Sequence, residues 1–201
     1  MSFIETMYIG SGDVSALLAG KDTKAHIQLM QRFVSGEKPY YNAYASPIDA
    51  LRTGAILEDR YIFCLSDNYY SQYKVQSYEM DVFVASLDFA QIECGEVVDF
   101  DELKTCSFDD FLTLQAKGVD FKKAPYKQYY NQVQEQLYCT GLYTANLVFL
   151  VAYDYDDINN LTRDIKDNEY FKVKIKRDDE IISQIKERGK IFQQIKDYYT
   201  K

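Results

Sequence analysis

With 201 residues, 47% of them hydrophobic, the chain is long enough for one well-buried domain, short for two, and globular in composition. Its 31 acidic against 23 basic side chains leave a net charge of −8, which excludes a simple basic nucleic-acid binder but not a nuclease, whose cleft needs local negative charge. No apolar run reaches membrane-spanning length, and M-S-F-I-E-T-M lacks the basic-then-apolar pattern of a secretion signal, so no membrane contact and a cytoplasmic location are expected.

In chain order, Val14, Leu17, Leu18, Ile27, Met30 and Phe33 recur at spacings of three and four and predict helix over 10–34. Ser46 and Pro47 start a second helix in which Ile48, Leu51, Ala55 and Tyr61 or Ile62 mark the apolar stripe and Glu58 lies near the middle. A strand over 80–92 turns at Cys94-Gly95 and returns antiparallel over 96–105. Helices follow at 108–116 and 126–140. L-V-F-L-V-A-Y-D and Y-F-K-V-K-I-K then read as strands, and 178–199 as a charged amphipathic helix. This order is that of an α/β sandwich with a mixed central sheet, read as one domain over 1–201 with its core near 46–155.

Cys64, Cys94, Cys106 and Cys139 form no C-x-x-C pair, and His26 is the only histidine. Zinc and iron–sulfur chemistry therefore lack support, and mostly buried, reduced thiols and a structural histidine are expected.

The chemistry concentrates between Asp88 and Lys104. Alternate strand residues share a face, so Glu102 and Lys104 point to one spot while Leu103 points into the core. Asp88 and Glu102 can clamp a hard divalent cation beside Lys104. The acid-x-Lys pattern alone is weak, since Asp22/Lys24, Asp120/Lys122 and Asp164/Lys166 repeat it. Tyr129, Gln132 and Gln136 share a helix face, where glutamines can hold a water or a phosphate oxygen without adding charge. Val133 and Leu137, with Tyr130, mark the face turned to the sheet. Lys122, Lys123 and Lys127 in F-K-K-A-P-Y-K-Q form a candidate DNA path, with a solvated loop as the alternative.

These pieces, in order, resemble the YqaJ-type viral recombinases, the phage lambda exonuclease group of the PD-(D/E)xK nuclease superfamily. The matching segments are I-G-S-G-D-V-S-A-L-L-A-G at 9–20, G-A-I-L-E at 54–58, S-L-D at 86–88, E-L-K-T at 102–105, Y-Y-N-Q-V-Q-E-Q-L-Y-C-T-G at 129–141 with the strand after it, and K-V-K-I-K-R-D-D-E-I-I-S-Q-I near the end. The Tyr-x-x-Gln-x-Gln element before Thr-Gly is the most specific.

The resemblance implies a restriction-endonuclease-like core and a Mg²⁺-dependent exonuclease, with Mn²⁺ able to substitute. It acts on linear duplex DNA from 5′ ends, leaving 3′ single strand for an annealing protein, and can assemble as a homo-oligomeric ring. Asp88, Glu102, the Leu103 carbonyl and Glu58 would bind metal. Lys104, Gln132 and Tyr129 would orient water and phosphate, and Ser11, Gln136 and the three lysines would contact DNA. The chain departs from the family at the 5′-phosphate position. There Gly12 replaces a serine, Ser11 is adjacent and Glu5 stands where an arginine is usual, which leaves polarity open. The spacing from Asp88 to Glu102 is also long, which predicts a longer hairpin at 92–99. A structure-selective or RecB-like endonuclease and a non-catalytic binding relic are the alternatives.

Overall fold

The computed structural model describes residues 7–37, 49–153 and 164–201. At its centre the run T-A-N-L-V-F-L-V-A, apolar on both sides, forms β5 (Thr144–Ala152), buried along its whole interior. β4 (Glu96–Ser107) runs parallel to β5, and β6 (Tyr170–Lys176) antiparallel to it on the other side. β3 (Phe83–Glu93) pairs antiparallel with β4, β2 (Tyr69–Gln76) antiparallel with β3, and the short β1 (Ile9–Gly10) parallel to β3. The result is a six-stranded sheet, mixed as expected from the sequence, with β1 and β2 added to the four expected strands.

Alternation along the strands builds two cores. Leu147 and Phe149 enter the larger one, while Val148, Leu150 and Leu103 enter a smaller one on the opposite face. α3 (Asp49–Tyr61) covers the smaller core with Leu57 and Tyr61, each fully buried and contributing about 2 kcal/mol. On the other face α5 (Tyr126–Thr140) lies against β3 and β5, and α1 (Val14–Leu18) and α6 (Asp179–Thr200) pack outside it. α2 (Lys24–Ser35) rests on α1 and α6, and α4 (Phe108–Lys117) on β4 and β5. Because α5 is enclosed from both sides, its polar residues Asn131, Gln134, Glu135 and Gln136 are buried and must find partners inside the protein.

Several expectations change. The helix expected over 10–34 breaks after α1, and Thr23 restarts the chain as the cap of α2 by accepting the His26 N–H. Ile27 is exposed, so the buried stripe runs through Val14, Leu17, Leu29 and Phe33. Leu51 is also exposed, because α3 rests on the sheet through its second half. Ser46, Pro47, Ile48 and Glu5 lie outside the described residues.

The long Asp88–Glu102 spacing comes from extended strands. Cys94 and Gly95, with φ of 52° and 86°, form a tight two-residue turn, and a register shift falls at Gln91/Ile92. Strand β2 was not anticipated. Of the cysteines only Cys139 is buried, and Cys94 is exposed at the hairpin tip; all four are free thiols. His26 is structural, with Nδ1 3.3 Å from the Ala16 carbonyl and its ring edge-on to Phe192. Among the described residues no helix is long and apolar enough to cross a membrane.

Candidate active site

The site arises where the sheet is incomplete. Along one edge of β3, β1 pairs at Phe83 and Val84, and β4 pairs only from Phe89 onward. Among the described residues the stretch between them has no strand partner on that edge, and side chains satisfy its neighbourhood instead. Asp88 Oδ2 accepts the Leu103 N–H at 2.9 Å, and the Gln136 amide donates to the Ser86 carbonyl at 3.0 Å. Asp88 is thereby wedged between diverging β3 and β4, with Glu102 and Lys104 beside it.

Glu102 is fully buried and collects three donors. Lys104 Nζ lies 2.5 Å and Gln132 Nε2 2.6 Å from Oε1, and Gln136 Nε2 2.6 Å from Oε2. Leu103 points away into the smaller core. The Tyr129 ring lies 5.4 Å from Lys104 Nζ, a cation–π distance. The structure thus brings together Asp88, Glu102, Lys104, Gln132, Gln136 and Tyr129 from three segments of the chain.

Glu58 joins electrostatically from α3. Burial raises its pKa, the hydrogen bond from the Gln72 amide lowers it, and the Glu102 charge raises it further. Asp88 is raised well above the ordinary carboxylate value by burial and by Glu102; Lys104 opposes this, Glu58 adds to it, and the Leu103 N–H offsets part. For Lys104, burial works against the charge, but Glu102 and Asp88 outweigh it and hold the ammonium charged. Three carboxylates thus share one lysine, and the negative charge is under-compensated.

Among the described residues no three histidine, cysteine or carboxylate side chains already stand as a metal-binding cluster. The donor set nonetheless suits a hard divalent cation: carboxylate oxygens, partly desolvated, whose mutual repulsion a cation would relieve.

Two site expectations are corrected. Gln136, expected to face DNA, is fully buried and anchors Glu102 to β3. Ser11, also expected on DNA, is buried beside the Glu135 carboxyl, because the turn it occupies packs against α5. Lys122, Lys123 and Lys127 are exposed on the loop and first turn leading into α5, and Lys123 pairs with Asp120 at 3.4 Å. Val133 and Leu137 are in the core as expected, and Tyr130 packs against it while its hydroxyl donates to Asp178 at 3.2 Å. The glutamine face also looks at the sheet, since α5 is buried nearly all round.

Sequence reasoning missed Gln72, which bonds Glu58, and Asp101, a fully buried carboxylate held by Tyr61, Asn146 and Lys172. The alternation of Tyr73 and Val75 with Lys74 and Gln76 was the available signal for β2.

No family model and no curated protein matches the chain in sequence. Its fold is that of solved exonucleases. An alkaline exonuclease from Laribacter hongkongensis, LHK-Exo, superposes with TM-score 0.65 at 19% identity, covering 98% of this chain and 92% of that one. Its complex with dAMP gives TM-score 0.65 at 18% identity, with the same coverage. A phage-related exonuclease from Haemophilus somnus 129PT gives TM-score 0.60 at 16% identity, covering 96% and 95%. This likeness defines the class of fold, a restriction-endonuclease-like α/β sandwich.

Proposed function

We propose that the chain is a metal-dependent DNA exonuclease that hydrolyses phosphodiester bonds of linear duplex DNA, from 5′ ends to leave 3′ single strand. One observation carries this: the gap in the pairing of β3 sets Asp88 against Glu102 and Lys104, with Gln132 and Gln136 fixing Glu102. The fold of solved exonucleases supports it.

Asp88, Glu102, the Leu103 carbonyl and Glu58 would hold Mg²⁺, or Mn²⁺ in its place. When bound, the ion supplies Lewis acidity toward the phosphate and a more acidic water. Lys104, kept charged by its two carboxylates, orients the attacking water and offsets charge building on the phosphate oxygens. Gln132 has its amide on Glu102, and its remaining hydrogen-bonding capacity serves water or phosphate. Tyr129 packs over the Lys104 ammonium and keeps it in place. Lys122, Lys123 and Lys127 give the DNA backbone an exposed basic approach. An annealing protein and a ring of identical chains are the partners this activity would use.

The test is digestion of end-labelled linear duplex with Mg²⁺, with 5′-phosphate and 5′-hydroxyl ends compared and closed circles alongside. Mononucleotide release from linear DNA only, abolished in Glu102→Ala, is the expected result. The inward turn of Ser11 favours a second reading, an endonuclease on the same core, which opening of the circles would establish. Retained cleavage by Glu102→Ala would overturn the site.

A further inference from the structure

A non-glycine residue with positive φ inside a strand is uncommon, and β2 has one. Gln72 takes φ of 53° in the middle of Tyr69–Gln76. Its position is not arbitrary. Ser71 pairs with Phe89 and Tyr73 with Leu87, so Gln72 lies across from Asp88.

The same point is where the β2–β3 ribbon changes face. Residues two apart on a strand should share a side, yet Tyr69 packs on the smaller core and Tyr73 on the larger. On β3, Leu87 belongs to the larger core and Phe89 to the smaller. The left-handed backbone at Gln72 supplies that switch. It also delivers the Gln72 amide to Glu58 Oε1, on the helix across the smaller core.

The geometry points to Gln72 as a positioning residue of the acid cluster: its left-handed backbone turns the ribbon at Asp88 and its amide holds Glu58 beside the Asp88–Glu102 pair. This rests on the nuclease reading for its purpose. The Glu102 charge repels Glu58 while Lys104 only partly offsets it, and a neutral donor restrains the carboxyl without adding charge. Left-handed backbone at a non-glycine residue costs stability, and such strain concentrates at functional sites.

Gln72→Gly separates the two contributions, because glycine adopts positive φ freely and removes only the amide. In the full-length protein, Mn²⁺ affinity measured by calorimetry should fall about tenfold, the scale for losing a group that orients a metal ligand. The melting temperature should stay close to that of the wild type, since relief of the positive φ offsets the added freedom of the unfolded chain. In DNA hydrolysis kcat should fall with KM for DNA unchanged. In a Glu58→Gln background, Gln72→Gly should cause no further loss of Mn²⁺ affinity.

Unchanged Mn²⁺ affinity in Gln72→Gly, or an equal loss with and without Glu58, would overturn the proposal. If the wild type binds Mn²⁺ but cleaves no DNA, the nuclease reading fails and the affinity series still decides the role of Gln72. A wild type that binds no Mn²⁺ overturns both.

Discussion

Glu135→Gln should stabilise the protein in mild alkali and leave it unchanged in acid. Glu135 lies in the enclosed part of α5, fully buried. The Cys139 thiol donates to its Oε1 at 3.2 Å, and among the described residues Oε2 has no hydrogen-bond partner. Burial raises its pKa from 4.5 to about 7; Ser11 and Cys139 offset part of this, and the Asp13 and Glu102 charges add to it. The unfolded chain therefore gives up this proton near 4.5, while the folded protein keeps it until about 7. The stability contribution of the neutral carboxyl is complete below the lower value and is lost as pH rises through the upper one.

The gap between the two values corresponds to about 3 kcal/mol. In a chain of this size that is roughly 6–12 °C in melting temperature. Glutamine cannot ionise and keeps an acceptor for Cys139. Thermal unfolding of both proteins by circular dichroism, at about pH 4 and about pH 8, reads the difference. Asp88 and Glu58 are raised as well, but both proteins retain them, so their contribution cancels. A variant no more stable than the wild type at the higher pH would refute the reasoning.

Gly189→Ala should destabilise by about 1–3 kcal/mol in urea unfolding, since its new Cβ would stand 2.4 Å from the Phe83 ring in the core. Gln136→Leu should lower DNA hydrolysis about a hundredfold, measured under single turnover, because Glu102 loses the donor that ties it to β3. Asp101→Ala should cost about 3 kcal/mol in the same unfolding assay. It leaves the Tyr61 hydroxyl and Asn146 amide with a lost buried acceptor, whereas Lys172 can turn toward water.

How much of this was legible before the structure depended on the range of each signal. The E-x-K strand could be read because strand alternation is local: Glu102 and Lys104 share a face whatever surrounds them. The Cys94-Gly95 turn could be read because positive φ at both positions is a local demand. The face of α5 was partly misread, since Gln136 looks like a surface residue until its face is known to lie on β3 and β4, where it bonds Ser86 and Glu102. Ser11 was misplaced because its turn packs against α5, a contact distant in sequence.

The sequence by itself determined the order of elements, the central apolar strand and the short list of acids and amides able to do the chemistry, because periodicity and residue type act over a few neighbours. Only the tertiary structure decided that β3 lacks a strand partner at Asp88 on its β4 side, that three donors converge on Glu102, and that Gln72 turns backward to reach Glu58. Those outcomes depend on which strands and helices meet across the sheet, where each unpaired backbone group and each buried charge must find a partner.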